Sequence, residues 1–307
     1  MKVVVTGGAG FIGANLCRTL SRRHQVTVLD DLSSGRRENL TGLESVELVE
    51  GSILDDALLD RALAGCRAVV HLAARPSVPR SIAEPVAAHE VNATGTLKVL
   101  EAARRAGGPH VIVASSSSVY GANPTLPKSE SLATRPISPY AASKLATESY
   151  TLAWGHSYGL PVLAFRFFNV FGPLQPAGHA YAAAIPTFID AALAGRPIPV
   201  HGSGLQSRDF TFVGTVADVI SRAIDNRVTS AEPVNLAFGS NISLLEVITQ
   251  IECILGHSVD VEHLPARAGD VMHSQADNTL LRSIVPDVVP VDFEAGLRET
   301  IDWFKTL

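Results

Sequence analysis

One local unit constrains this chain more than any other, the run from residue 2 to residue 30. Lys2 to Val5 reads as a short buried strand. Gly7-Gly8-Ala9-Gly10-Phe11-Ile12-Gly13 follows, then an amphipathic helix to about Arg23, then a second strand from Gln25 that ends at Asp30. Glycine at 7 permits a tight turn, glycine at 10 lets a pyrophosphate approach the backbone, and glycine at 13 lets the helix pack close to the strand. The helix start offers unpaired N–H groups and the positive end of its dipole to phosphates. Asp30 is placed to accept hydrogen bonds from an adenosine ribose. A tight turn with no ligand is the competing reading, and the acid at the strand end weighs against it. Asp30 and Asp31 would repel a 2′-phosphate, which favours NAD over NADP. Arg36 and Arg37 are the counter-indication, more simply read as solvated loop arginines.

Further strands follow at about 46–49, 68–72, 111–114 and 163–167, separated by helices. Near-continuous Val, Ile and Leu in these strands indicates a parallel sheet covered on both faces. The fold class is therefore α/β, a Rossmann-type doubly wound sheet. A single long helix is expected from about Ala83 to Arg105, carrying Asn92. Beyond 167 the rhythm weakens. Helices are expected near 185–193, 215–224, 243–255 and 293–305, with strands around 198–200, 208–213 and 234–236. In an open parallel sheet ligands bind at the carboxyl ends of the strands. There lie Leu72-Ala73-Ala74, small enough for a dinucleotide to rest on the backbone, and the hydroxyl run Ser115 to Ser118. His71, inside an apolar strand, reads as structural.

The 307 residues suit one large α/β domain or two intimate ones. The net charge of −5 is spread along the chain, with no basic stripe for nucleic acid. Three well-separated cysteines suggest no disulfide framework and fit a reducing cytoplasm. No apolar run approaches the roughly 20 residues of a membrane span. The histidines show no metal spacing: His89-Glu90 is followed by Ala at 93, where a zinc site needs a second histidine.

The chemistry concentrates between Val113 and Lys144. Ser138-Pro139 reads as a helix start, so Tyr140 and Lys144 stand one turn apart, ~6 Å along the axis, on one face. The Y-x-x-x-K spacing alone is common; after a glycine-rich nucleotide fold and a serine-ended strand it is specific. A neighbouring ammonium and a positive nicotinamide would lower the phenol from its ordinary value of about 10. Tyr140 would then take a proton from a sugar hydroxyl while the carbon gives up its hydride. Ser116 would bond the same oxygen, and Lys144 would also hold the nicotinamide ribose.

T-G-G-A-G-F-I-G, Asp30, H-L-A-A, S-S-S-S-V-Y-G, Y-A-A-S-K, R-F-F-N-V-F-G, Arg208-Asp209-Phe210 and R-A-G-D together resemble the extended short-chain dehydrogenases/reductases, in the nucleotide-sugar epimerase/dehydratase group, over essentially the whole length. The resemblance implies an NAD-binding domain at 1–167 with about 208–237. It implies a smaller, discontinuous domain at about 168–207 and 238–307 for a UDP-sugar. Cofactor contacts are implied at Gly7, Gly10, Phe11, Ile12, Gly13, Asp30, Asp31, Ser33, Ser52, Ile53, Leu72, Ala73, Ala74, Asn92, Tyr140 and Lys144. Substrate contacts are implied at Ser77, Ser116, Ser117, Ser118, Tyr140, Asn169, Arg208, Arg267, Asp270 and Ser274. An arginine fork suits a diphosphate. A homodimer through the helices at 83–105 and 138–157 is implied as well.

Dehydratases of this group carry an acid pair just before V-Y-G, where this chain has Ser117 and Ser118. Without that acid the 4-keto intermediate is expected to be reduced on its other face, which is 4-epimerisation. The same lack disfavours decarboxylation. S-V-P-R-S-I at 77–82 and A-Y-A-A-A-I-P at 180–186 resemble epimerases that accept N-acetylated UDP-hexoses. Ser274 stands where a bulkier residue excludes such sugars. Arg75 supplies a rival expectation, a uronate carboxylate. Ser52 replaces a usual Asp, and Gly202-Ser203-Gly204 a common Gly-Asp-Gly, so both depart from the family pattern.

Overall fold

The computed structural model describes residues 1–177, 182–266 and 271–307. Its centre is a seven-stranded sheet. The strands are β1 (Lys2–Thr6), β2 (Gln25–Asp30), β3 (Val46–Glu50), β4 (Ala68–His71), β5 (His110–Ser116), β6 (Val162–Phe167) and a last strand, Val234–Leu236. The spatial order is Val234–Leu236, β6, β5, β4, β1, β2, β3, and every pairing is parallel. The order reverses between β1 and β4, so a crevice opens there at the carboxyl ends.

Alternation along the strands builds two apolar layers. Val3 and Val5 face the helices Phe11–Leu20 and Val213–Asp225, through Leu16, Leu20, Val216 and Ile220. Val4 faces the opposite layer with Val69, Val111 and Val113, under the helices Asp56–Leu63 and Gly95–Arg105. A third cluster lies off the sheet, where Phe171, Phe188, Phe212, Val247, Leu297 and Ile301 pack together. It draws on the helices Ala184–Leu193, Leu244–Leu255 and Phe293–Phe304.

Two expected elements differ. The helix expected at 83–105 runs without interruption from Pro85 to Arg105 but widens into a π turn at Glu90–Thr94, and a separate short helix, Val78–Ala83, precedes it. Pro85 separates the two: it forces Glu84 out of the helical region, to φ −131° and ψ 64°. The strand expected at 208–213 is split. Ser207–Arg208 pairs with Ile242–Ser243 and His273–Ser274, and Thr211–Phe212 pairs with Val170–Phe171. Asp209, fully buried between them, turns the chain. Its carboxylate accepts from the N–H groups of Gly239, Ser240 and Ala276, at 3.0, 3.2 and 3.0 Å.

The helix Pro139–Tyr158 is fixed to the sheet by a buried ion pair. Arg166 on β6 donates to both Glu148 oxygens, at 2.6 and 2.9 Å, and both side chains are at most 5% exposed. Ser115 donates to the same carboxylate at 2.9 Å, and the guanidinium lies 4.7 Å from the Tyr120 ring centre. A satisfied buried pair is costly to break from one side, because the survivor keeps its charge without a partner. Arg166→Leu should therefore lose about 3–5 kcal/mol in urea unfolding, and the double change Arg166→Leu with Glu148→Leu should recover part of that loss.

Candidate active site

The cleft at the carboxyl ends of β1, β4 and β5 has a volume of about 370 Å³. Its floor is the glycine turn. Gly7 sits at φ +72°, and a Cβ there would lie 2.6 Å from the Ala73 nitrogen. At Gly13 a Cβ would lie 2.2 Å from the Gly7 carbonyl, so only glycine lets the helix approach. At Gly10 a Cβ would meet only the Gly7 carbonyl, at 3.3 Å, and would otherwise project into open space. Gly10 is also the N-cap of the helix Phe11–Leu20, and no side chain caps it. An uncapped helix start beside an open glycine fits a pyrophosphate. Phe11 and Ile12 complete this wall.

At the far end Asp30, 7% exposed, accepts from the N–H groups of Ala9 and Leu32, both at 2.9 Å. Burial lifts its carboxyl above the usual range, and those two N–H groups oppose the lift. Asp31, Ser33, Ser52 and Ile53 line this end, and Leu72, Ala73 and Ala74 line the middle. The donor set and the free space fit NAD.

Ser116, Tyr140 and Lys144 line the other end together. Burial pushes the Tyr140 phenol up, and its hydrogen bond with Ser116 works in the opposite direction. The lowering expected from Lys144 is absent. Its ammonium donates to the Ala114 carbonyl at 2.8 Å, and burial alone lowers it to about 8. His71 is structural as expected: it is 3% exposed and bonded to Thr6 at 2.7 Å and Thr96 at 3.0 Å. Burial first, then the charge of Lys144, lowers it to about 3.

A second cleft of about 240 Å³ adjoins the first, and Asn169, Val170 and Gln175 border both. Arg208 lines it with Ala182 to Ile185. The guanidinium of Arg208 donates to the Ser207 carbonyl at 2.8 Å, and Asn169 donates to the Asp209 carbonyl at 3.1 Å. Arg267, Asp270 and the first two residues of the 180–186 stretch lie outside the described residues.

Several expected contacts are placed elsewhere. Asn92, 1% exposed, lines neither cleft. Its amide is fully used, accepting from the Arg75 N–H at 2.7 Å and donating to the Arg75 carbonyl and the Ser143 hydroxyl at 3.2 and 3.0 Å. Ser77 caps the helix Val78–Ala83 through the Arg80 N–H, and its neighbour Pro76 reaches the cleft instead. Ser117 and Ser118 belong to the 3₁₀ turn Ser117–Tyr120 and line neither cleft. Ser274, 8% exposed, is held in its two-residue strand. Arg75 pairs with Glu84 at 2.8 Å, which weakens the expectation of a uronate partner.

Sequence reasoning missed Gln175. It is 9% exposed and donates to the Val170 carbonyl at 3.2 Å, while its carbonyl oxygen has no partner among the described residues. Its place just after F-N-V-F-G-P was the available signal.

The buried ammonium has a thermodynamic consequence. The folded-state value of Lys144 lies below the unfolded one, so the unfolded chain holds the proton more tightly. This penalty is full below about pH 8 and fades as pH rises toward the unfolded value. Lys144→Met should therefore stabilise the cofactor-free protein at pH 7, by roughly 3 kcal/mol for a shift of this size. In denaturation series the advantage over wild type should shrink between pH 8 and 10.5.

Residues 3–237 match the model of the NAD dependent epimerase/dehydratase family. A UDP-glucose 4-epimerase of Mycolicibacterium smegmatis is 38% identical over 99% of both chains. A dTDP-glucose 4,6-dehydratase of Streptomyces niveus is 34% identical over 99% of this chain and 93% of its own. Among solved structures, the UDP-N-acetylglucosamine 4-epimerase of Methanobrevibacter ruminantium M1, in complex with UDP-N-acetylmuramic acid, superposes with a TM-score of 0.95. It is 39% identical and covers 99% of this chain and 98% of its own. With its glycine turn, its Asp30-ended strand and its serine, tyrosine and lysine in one cleft, the chain belongs to the NAD dependent epimerase/dehydratase family.

Proposed function

We propose that the protein is a UDP-sugar 4-epimerase acting on UDP-hexoses, UDP-N-acetylglucosamine/UDP-N-acetylgalactosamine and/or UDP-glucose/UDP-galactose, through a transient 4-keto sugar. The observation that carries this reading is the make-up of the catalytic end. Ser116, Tyr140 and Lys144 meet there, and among the described residues no carboxylate joins them. Among the described residues, the acids lining the first cleft are Asp30 and Asp31, on the strand end that would hold the ribose, and none lines the second. This arrangement supports a proton relay that works without the extra acid that elimination of water requires.

Bound NAD supplies the hydride acceptor and then the donor at sugar carbon 4. Tyr140 removes the proton from the 4-hydroxyl, and Ser116 holds that oxygen and lowers the phenol. Since burial raises Tyr140 in the protein alone, the positive charge that makes it a base must arrive with the bound cofactor and from a Lys144 released toward the ribose. Asn169 and Arg208 hold the nucleoside diphosphate in the second cleft, and the small Ala182 to Ala184 leave room there.

The division into a cofactor part (1–167 with about 208–237) and a sugar-nucleotide part belongs to this proposal. The separate apolar cluster around Phe171 supports it, although Phe212 and Val213 pack into that cluster too. A cytoplasmic homodimer through the helices at 83–105 and 138–157 is proposed as well, supported by exposed Val86 and Tyr150. No helix among the described residues is long and apolar enough to cross a membrane.

The test is to incubate purified protein with UDP-N-acetylglucosamine, UDP-glucose and UDP-glucuronate separately, without added NAD, and to follow products by NMR. A 4-epimer of equal mass is expected from at least one of the first two. Loss of water or carbon dioxide would instead support a dehydratase or decarboxylase. Tyr140→Phe should lower turnover by at least about a hundredfold and still purify with NAD; unchanged turnover would remove Tyr140 from its role.

A further inference from the structure

The first turn of the helix Pro139–Tyr158 has donors that the helix cannot satisfy itself. Pro139 has no N–H. The Ala141 N–H reaches the Ser138 hydroxyl at 3.1 Å, and the Ala142 N–H reaches the Ser138 carbonyl at 3.0 Å. That leaves the N–H of Tyr140, the residue assigned here as acid and base. It donates at 3.0 Å to the hydroxyl of Ser81, 59 residues earlier in the chain. Ser81 is 2% exposed, so water does not substitute for it. Its own proton goes to the Val78 carbonyl at 2.7 Å, which leaves the oxygen to accept.

The carbonyl of Tyr140 is held too. It accepts from Ser143 at 2.8 Å, and Ser143 accepts from Asn92 at 3.0 Å. Asn92 in turn clamps both backbone groups of Arg75, next to Pro76 on the cleft wall. The peptide groups on both sides of Tyr140 are thus tied to the 75–92 segment.

We infer that Ser81 is a positioning residue for the catalytic tyrosine: by fixing the Tyr140 N–H it fixes the approach of the phenol to Ser116 and to the sugar oxygen. The inference rests on the acid–base role of Tyr140 proposed above. A proton relay depends on sub-ångström placement, and a peptide pinned from outside its own helix gives that placement. Ser138 caps the same helix without touching the Tyr140 N–H, so it serves as the internal comparison.

The test uses the enzyme with its bound NAD and whichever of UDP-N-acetylglucosamine and UDP-glucose the wild type turns over. Ser81→Ala should lower kcat by roughly tenfold to a hundredfold, with KM and NAD content unchanged. The low-pH limb of kcat should move to higher pH, because a loosened Ser116 bond no longer lowers the phenol. Ser138→Ala should lower Tm to a similar degree but keep kcat within about twofold, having lost only a cap. A wild-type kcat and pH limb in Ser81→Ala would overturn the inference. An equal kcat loss in Ser138→Ala would do so too, since general fraying of the helix would then explain both. If Ser81→Ala does not yield folded protein, Ser81→Cys keeps the volume with a poorer acceptor. It should show the same kcat loss, and wild-type turnover there overturns the inference. Tyr140→Phe separates the two levels. If it is active, the acid–base role falls and this inference with it; if it is inactive while Ser81→Ala is normal, only the role of Ser81 falls.

Discussion

A parallel sheet covered by helices on both faces is open only at its strand ends. The rest of this structure follows from that constraint. Val3, Val5 and Val4 commit their side chains to opposite apolar layers, so nothing polar from the middle of β1 can reach a ligand. What reaches out is the turn after β1, the Ala73-Ala74 step after β4 and the serine end of β5. Gly7 and Gly13 are close-approach positions where any Cβ would strike backbone. Gly10 faces free space, and that difference among three glycines fits a phosphate seat.

Charge is distributed unevenly over this frame. Glu148 stands one helical turn beyond Lys144, yet it is committed to Arg166 and Ser115. Lys144 is left with a carbonyl in place of a carboxylate, so burial governs its proton. The protein thereby keeps a poorly compensated ammonium beside a phenol that burial holds protonated. Stability is given up at the position where the proposed reaction would need a charge that responds to a ligand. The neighbouring Glu148–Arg166 pair, fully satisfied, holds the same helix in place.

Local physics made the first 30 residues readable, because turn, helix start and strand-end Asp30 are neighbours in the chain. Tyr140 and Lys144 were readable for the same reason, being one helical turn apart. What was not readable depends on distant partners. Asn92 sits on a helix as expected, but the atoms that use up its amide belong to Arg75 and Ser143, 17 and 51 residues away. Ser81 looked like one residue of a loop motif until folding placed it on the Tyr140 N–H. The helix expected at 83–105 was readable and starts at Pro85; the π turn at Glu90–Thr94 within it was not. Gln175 borders both clefts only because two segments meet there.

The central claim is that a proton relay without an accompanying acid returns the hydride to the carbon it came from. The most direct measurement uses UDP-hexose deuterated at carbon 4, in ordinary water, with the protein carrying only its own NAD. The account predicts a 4-epimer that keeps the deuterium at carbon 4 and no loss of mass. Deuterium lost to solvent, or a product lighter by water, would contradict it.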